Sequence, residues 1–566
     1  MKQKSLKIGA LLLGGAMLFA CGACAPQQEH STPVYPVEDD DVARTQLYVY
    51  NSAYTQDMLW LNTMKERFEA LHAQDTCWED GKRGVQVVIL HTAADFVNSP
   101  SELLEGREEV YFAFDADVRA LQKENALAEI SPLVYEQETE ERSVESKLLP
   151  SQKEYYGVGE ETQKQYYALP DRFGSVGFVY NYDLFEEKGY FFAKDGTEEN
   201  PFVADTGMPI SLGADGKADT WDDGLPATYD EFFTLCKYIA KDGNIPVLWG
   251  GAEYETYFTW LAGGLAATQN GYEQTLLSYT LDGKATNLGV IKNGGFAQDE
   301  QATIITQENG YELSRSAGNY HALSFIEELT EKKNGYYGNL TFTEEFVKSQ
   351  SSARKVFVEG LDGEREIAML MDGSWWQGAY EYATQDASEE NTDGEASGEP
   401  LPKSTRFGWM PLPKASEDAP IENTTLDCLR SSAFIKANVE EWKLPLAQAF
   451  LRFVYTDDAL KTYEQLTGTQ KAVAYGESGV EAPQGTSFAQ SFAEHRKAAR
   501  TVYPYLMAEG LEESERFFAP CEIWRAAFQL SAAQQYPVSA FVKNNTSVVD
   551  YFNGMYKYRK GNWIEK

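Results

Sequence analysis

Hydrophobic and polar positions alternate in blocks along the first third of the chain. Thr45–Tyr50 and Gly84–Leu90 are short apolar runs rich in Val, Ile and Tyr, and Val110–Phe114 is a third. Between the first two, residues 56–71 place Leu59, Met64, Phe68 and Leu71 at helical spacing. A helix-like stretch ending near Leu127 follows the third run. Strand–helix–strand alternation of this kind predicts a parallel sheet covered by helices. The rhythm breaks at Tyr167–Tyr180, an extended segment with a bend at Pro170, and then resumes. Thr228 followed by Glu231 forms a capping box, predicting a helix to about Lys241. A strand is predicted over Gly243–Trp249. Glu136–Lys147 and Ala383–Ser404 have too few large apolar residues to build a core and read as surface insertions. No repeat of solenoid period is present.

The N-terminus follows different rules. Residues 1–20 hold Lys2, Lys4 and Lys7, no acid, and the apolar run Ile8–Ala20. This is the pattern of a secretory signal, too short to span a bilayer comfortably. It ends Leu18-Phe19-Ala20-Cys21-Gly22, which resembles a bacterial lipobox with Cys21 as the lipidated residue; Cys24 is the alternative. Acyl chains on that Cys would give stable anchoring, at about 0.8 kcal/mol per buried CH₂. Residues 21–43 would be the lipidated Cys and a flexible, acidic tether. No later apolar run is long enough to cross a membrane.

Charge narrows the function classes. The 566 residues include 49 Lys and Arg against 87 Asp and Glu, a net charge of −38. Removal of residues 1–20 would make it −41. Such a surface repels phosphate and excludes a general nucleic-acid binder. Aromatics at 13% and hydrophobics at 43% exclude a disordered chain. Four Cys remain in the body, Cys77, Cys236, Cys428 and Cys521, without metal or redox spacing; they allow three pairings or none.

No HExxH, P-loop, GxSxG or dinucleotide-binding glycine pattern is present. With 87 acids, a glycosidase-type carboxylate pair carries no information by sequence. Asp215, Asp219 and Asp223 are candidate Ca²⁺ ligands in a Gly-rich loop. Trp221 and Asp230 stand where an EF-hand needs a side-chain ligand and a bidentate Glu, so this is no EF-hand, and a solvated Asp-Gly turn before the Thr228 helix is the favoured reading of the loop. More informative are three groups that mix aromatics with Gly or charge: Trp249–Trp260, Asp372–Trp376 and Cys521–Arg525. Flat rings stack on the C–H faces of sugars while carboxylates and Arg meet the hydroxyl rim. Each such ring contact contributes about 0.5–1.5 kcal/mol beyond area burial.

Several segments, in order, resemble extracellular solute-binding lipoproteins of bacterial ABC importers, the family that includes maltodextrin-binding protein. They are Leu127–Ile130, Glu255-Thr256-Tyr257-Phe258-Thr259-Trp260, Ile367–Trp375, Phe407–Pro413, Phe434–Asp458 and Trp524. The resemblance implies an α/β periplasmic-binding-protein type II fold, with two lobes of mixed sheet around a ligand cleft. Residues 44–168 with about 432–500 would form the N-lobe, and 169–431 with about 501–566 the C-lobe. Tyr167–Arg172 and Asp427–Ala433 would be the hinge crossings. It implies a carbohydrate ligand and ABC permease partners, a protein held on the outer face of the cell membrane, and no enzymatic activity. Ligand contacts would be Asp115 or Asp117, Arg172, Glu255, Tyr257, Trp375 and Trp524. Apart from possible structural Ca²⁺, no cofactor is expected, and the protein is expected to be a monomer. The alternative is a surface glycan-binding protein or glycoside hydrolase not coupled to import.

Overall fold

The computed structural model describes residues 40–563, apart from 53–55, 93–98, 115, 137–141, 161–163, 198, 204–209, 252–253, 338–348, 361–364, 386–404, 417–422, 468–470, 474–486 and 505–536. Cys21, Cys24, Asp115, Cys521 and Trp524 therefore lie outside the described residues, as do the signal segment and nearly all of the tether. So do most of the 383–404 insertion and residues 137–141 of the earlier one. Cys77, Cys236 and Cys428 are thiols.

Two mixed sheets organise the chain. The first runs in the order Val85–Thr92, Thr45–Ser52, Val110–Phe114, Ser431–Ile435, Ala168–Pro170. Its first three strands are parallel, and Ser431–Ile435 lies antiparallel to both of its neighbours. The parallel strands read as continuous apolar runs because successive residues are buried on both faces of the sheet. Helix Gln56–Leu71 supplies Trp60, Leu61, Met64 and Phe68 to this core, and Phe68 meets Phe450 edge-on at 5.1 Å. Leu71, expected on the same face, is 65% exposed, because the helix ends there.

The second sheet runs Phe407–Met410, Val176–Asn181, Ile367–Gly373, Ile245–Leu248. Val176–Asn181 is antiparallel to its neighbours, while Ile367–Gly373 and Ile245–Leu248 are parallel. Its core gathers Phe178, Phe232, Phe233 and Phe325, and takes in Tyr551 and Phe552 from the helix Val548–Asn562 near the C-terminus. Helix Ser487–Ala498 falls in the stretch that the sequence assigns to the N-lobe. Its Phe492 packs on Trp409 of the second sheet at 5.1 Å.

A smaller third core gathers around the helix Tyr272–Thr280 and the β-ribbon that follows it. Gly283–Ala285 pairs with Thr303–Ile305, and between them Gly289–Lys292 pairs with Gly295–Gln298. Asn293 and Gly294 both have positive φ, +53° and +84°, as a tight hairpin turn requires. Leu281, Leu288, Ile305 and Trp563 belong to this core together with Leu277 and Tyr279.

The chain passes from the first sheet to the second at 171–175 and returns at 427–430. The two passages are cross-linked: Asp171 N donates to Ser431 O at 3.0 Å, and Cys428 N to Gly174 O at 2.8 Å. Lys471 joins the same place through a bridge to Arg172.

Candidate functional site

Parallel strands of an open α/β sheet present ligands at their carboxyl ends. At that edge of the first sheet, Asn51 and His91 stand opposite one another in register. Asn51 Nδ2 lies 3.1 Å from His91 Nδ1, and Asn62 Nδ2 lies 3.3 Å from His91 Nε2. Burial holds the imidazole down at about 4, so it is neutral at physiological pH. Sequence reasoning missed these three residues. The available signal was a polar residue closing each apolar run, Asn51 after Tyr48–Tyr50 and His91 after Val87–Leu90.

Arg172 belongs to the same edge but does not face outward. It is 1% exposed. Its guanidinium donates to Ser52 O at 3.0 Å and pairs with Asp171 at 2.8 Å, and it lies 4.0 Å over the Phe114 ring. It closes the ends of two strands, which departs from the expectation of a ligand contact. Asp117 caps the helix Val118–Lys123, one oxygen accepting from Ala120 N at 2.9 Å.

The second lobe contributes aromatics. Helix Tyr254–Asn270 carries Tyr257 and Trp260 one turn apart, and Trp375 stands two residues after the strand Ile367–Gly373. Ring centroids stand 5.6 Å apart for Tyr257–Trp260, 5.9 Å for Trp260–Trp375 and 6.4 Å for Tyr257–Trp375, all edge to face. Trp260 and Trp375 are half-buried, whereas Trp249 and Trp376 from the same sequence groups are fully buried core. Glu255 sits in the first turn of the helix, and its side chain is outside the described residues.

Trp375 also rests on the crossover. A Cβ at Gly174 would lie 2.8 Å from its Cζ3 and 2.6 Å from Leu429 Cγ, so this position admits only glycine without displacement. Thus a stretch of three residues, Arg172 to Gly174, links the polar edge of one lobe to the aromatic trio of the other. A cavity beside Trp260, bordered by Thr268, Asn423, Thr424 and His495, has a volume of about 20 Å³. That is room for about one water molecule and too little for a sugar ring.

Three carboxylates of the Asp215–Asp223 loop accept from the loop's own backbone. Asp222 accepts from Asp215 N at 2.9 Å, Asp215 from Lys217 N at 2.7 Å and Asp223 from Asp219 N at 2.8 Å. Among the described residues no group of three His, Cys, Asp or Glu is placed to hold a metal ion.

The arrangement defines a class of fold: periplasmic-binding-protein type II, with two mixed sheets joined by crossovers. Three solved structures share it. A chitin oligosaccharide binding protein matches at 14% identity and TM-score 0.52, over 92% of this chain and 99% of that one. RafE, solved in complex with raffinose, matches at 13% identity and TM-score 0.50, over 91% and 99%. A cyclic α-maltosyl-1,6-maltose binding protein from Arthrobacter globiformis matches at 12% identity and TM-score 0.50, over 92% and 99%. No protein-family model matches the chain, and no curated protein matches it in sequence.

Proposed function

We propose that this protein is the lipid-anchored substrate-binding component of an ABC importer, and that it takes up a sugar or oligosaccharide between its lobes. The observation that carries the reading is the edge-to-face trio Tyr257, Trp260 and Trp375 resting on the crossover of a two-lobed fold. The half-buried rings of Trp260 and Trp375 offer apolar faces to a sugar, and the opposite lobe offers the uncharged, half-buried Asn62 and His91 to its hydroxyls. The three solved proteins of the same fold named above are described as binding proteins for carbohydrates, or are solved with one, which supports this ligand class. Contacts made by both lobes at once favour the closed form, so ligand binding shifts the population toward it. No bond need be made or broken, and the reading is of a binding protein, not an enzyme. Docking of the closed form on permease subunits, and attachment to the outer face of the membrane through Cys21, complete the proposal. Among the described residues no helix is long and apolar enough to cross a membrane.

A thermal-shift screen of raffinose, maltotriose, xylotriose and chitotriose tests the ligand class. At least one sugar should raise the melting temperature. Trp375→Ala should then weaken its binding by about tenfold in calorimetry, as loss of a stacked ring contact does. No shift with any sugar, or wild-type affinity in the Trp375 variant, overturns the reading. Release of shorter sugars during incubation would move the protein to the hydrolases.

A further inference from the structure

Helix Gln350–Glu359 is fastened to the aromatic site by its first residue. Gln350 Oε1 accepts from Gly250 N at 2.9 Å, and its Nε2 donates to Met371 O at 2.9 Å. A Cβ at Gly250 would lie 2.6 Å from Gln350 N, so helix and turn are in direct contact. One turn further along stands Arg354. Its Nε lies 2.7 Å from Asp372 Oδ2 and its Nη2 3.0 Å from Asp372 Oδ1. The same Nη2 donates to Tyr257 Oη at 3.3 Å. Asp372 is fully buried and the Arg354 side chain is 11% exposed.

Asp372 also holds the turn that follows it. Its Oδ1 accepts from Gly373 N at 2.7 Å. At Gly373 a Cβ would stand 2.3 Å from Trp375 Cε2, so the indole folds directly over this residue. One guanidinium therefore reaches two of the three rings by separate routes, Tyr257 by its hydroxyl and Trp375 by the Asp372–Gly373 turn.

We propose that Arg354 is a positioning residue that sets the mutual geometry of Tyr257 and Trp375, and with it the shape of the stacking platform. Only a planar fork serves both partners at once. Two of its N–H groups meet the carboxylate in parallel while one is shared with the phenol; a lysine ammonium is a point charge without that geometry. The proposal deepens the carbohydrate reading, and rests on it for what the platform binds. The ring geometry itself can be measured without ligand.

The test uses the full-length protein with three variants. Arg354→Lys keeps the charge. Arg354→Met alone strands a buried carboxylate and risks the fold, so Arg354→Met is combined with Asp372→Asn to remove both charges. Trp375→Phe provides the reference for the near-ultraviolet circular dichroism that Trp375 contributes. Positioning predicts that Arg354→Lys and the double variant lose more than about half of that contribution while folding cooperatively, because the signal depends on ring orientation. A near-ultraviolet spectrum equal to wild type in both overturns the proposal. The binding arm titrates whichever of raffinose, maltotriose, xylotriose or chitotriose stabilises the wild type most. Arg354→Lys should weaken it about fivefold or more in the wild-type background and less than about twofold in Trp375→Ala, since coupled residues are not additive. Equal losses in both backgrounds overturn it as well. Failure of every sugar to bind the wild type would sink the carbohydrate reading and leave the spectroscopic arm to decide the role of Arg354.

Discussion

Asp171 and Asp427 are both fully buried, one on each crossover, and they are stabilised in opposite ways. Asp171 lies between two cations: Arg172 Nε at 2.8 Å and Lys471, whose ammonium bonds its other oxygen. Ser431 Oγ adds a hydrogen bond at 3.1 Å. Burial alone would raise this carboxyl, but Lys471 and Arg172 outweigh it and hold it below the ordinary carboxylate value. Asp427 accepts from backbone N–H groups, from Gly174 N at 2.9 Å, Arg430 N at 3.1 Å and Leu429 N. Burial dominates there and pushes the carboxyl up to about 7, although Arg496 is near enough to oppose it. The same side chain thus makes an ionic knot on the first lobe and a neutralisable staple on the second. The knot ties three chain segments, including Lys471, and should stay rigid. The staple spans 172–174 and 428–430, where Arg430 takes a positive φ of +48°, and is the expected site of bending.

The largest effect should come from cutting the knot. Asp171→Ala leaves the Arg172 and Lys471 charges buried without their anion, and a broken buried ion pair costs about 3–5 kcal/mol. Urea unfolding should show that loss. Asp171→Asn should lose nearly as much, because shape is kept and only charge is removed. A cost under about 1 kcal/mol in both would mean that backbone carbonyls hold the cations and that the two ends of the crossover are equally soft.

The pH dependence should run in opposite directions at the two sites. At Asp171 the folded-state pKa is depressed, so its stabilisation is present above the unfolded value near 3.8 and fades as pH falls through the folded value. At Asp427 the folded value is raised to about 7 from 3.8. Its contribution is therefore complete below the unfolded pKa and is lost as pH rises through about 7, at up to about 1.4 kcal/mol per pH unit between the two values. Asp427→Asn should remove this slope. Relative to wild type it should gain stability between pH 5 and pH 8, as read from urea midpoints. A parallel pair of curves would show that Asp427 stays ionised and that the staple is as charged as the knot.

Gly174→Ala probes the junction between the staple and the aromatic trio. The new methyl must displace Leu429 or Trp375, and overpacking of this kind costs about 1–3 kcal/mol. Displacement of Trp375 should also weaken sugar binding, which calorimetry separates from the loss of stability. Unchanged affinity would show that Leu429 gives way alone and that the trio is independent of the crossover.

The frame of the molecule was legible because it depends on local pattern. The runs at 45–50, 84–90 and 110–114 became the parallel strands of the first sheet. Thr228 and Glu231 formed the capping box, Glu231 N donating to Thr228 Oγ1 at 3.3 Å and Thr228 N to Glu231 Oε2 at 3.2 Å. The ribbons at 283–305 were missed although Asn293-Gly294 is a hairpin signal, because the paired runs are only a few residues long. The site was legible in part. Aromatics beside glycine pointed to Trp375 and Tyr257 together with Trp249 and Trp376, and sequence cannot say which ring faces the core. Arg172 looked like a ligand contact because its carbonyl and hydroxyl partners come from residues 52, 112 and 431, which only the folded sheet brings near. Arg354 gave no signal for the same reason, since its partners lie 18 and 97 residues away.

The smallest predicted effect bears most directly on why the two aspartates differ. Ser431 Oγ donates to Asp171 Oδ2 at 3.1 Å and accepts from Arg172 Nε at 3.2 Å, and the residue is fully buried. Ser431→Ala deletes both bonds but leaves Lys471 and Arg172 on the carboxylate. With the cations still carrying the anion, the net loss from both bonds should be small, about 1 kcal/mol in urea unfolding. The acid limb of the stability curve should keep its wild-type position, since the folded pKa of Asp171 stays depressed. Should Ser431→Ala instead cost as much as Asp171→Ala, or pull the acid limb upward in pH, the hydroxyl would be what keeps Asp171 ionised. The knot and the staple would then be the same device, a buried carboxylate held by neutral donors, and the contrast between the two ends of the crossover would fall.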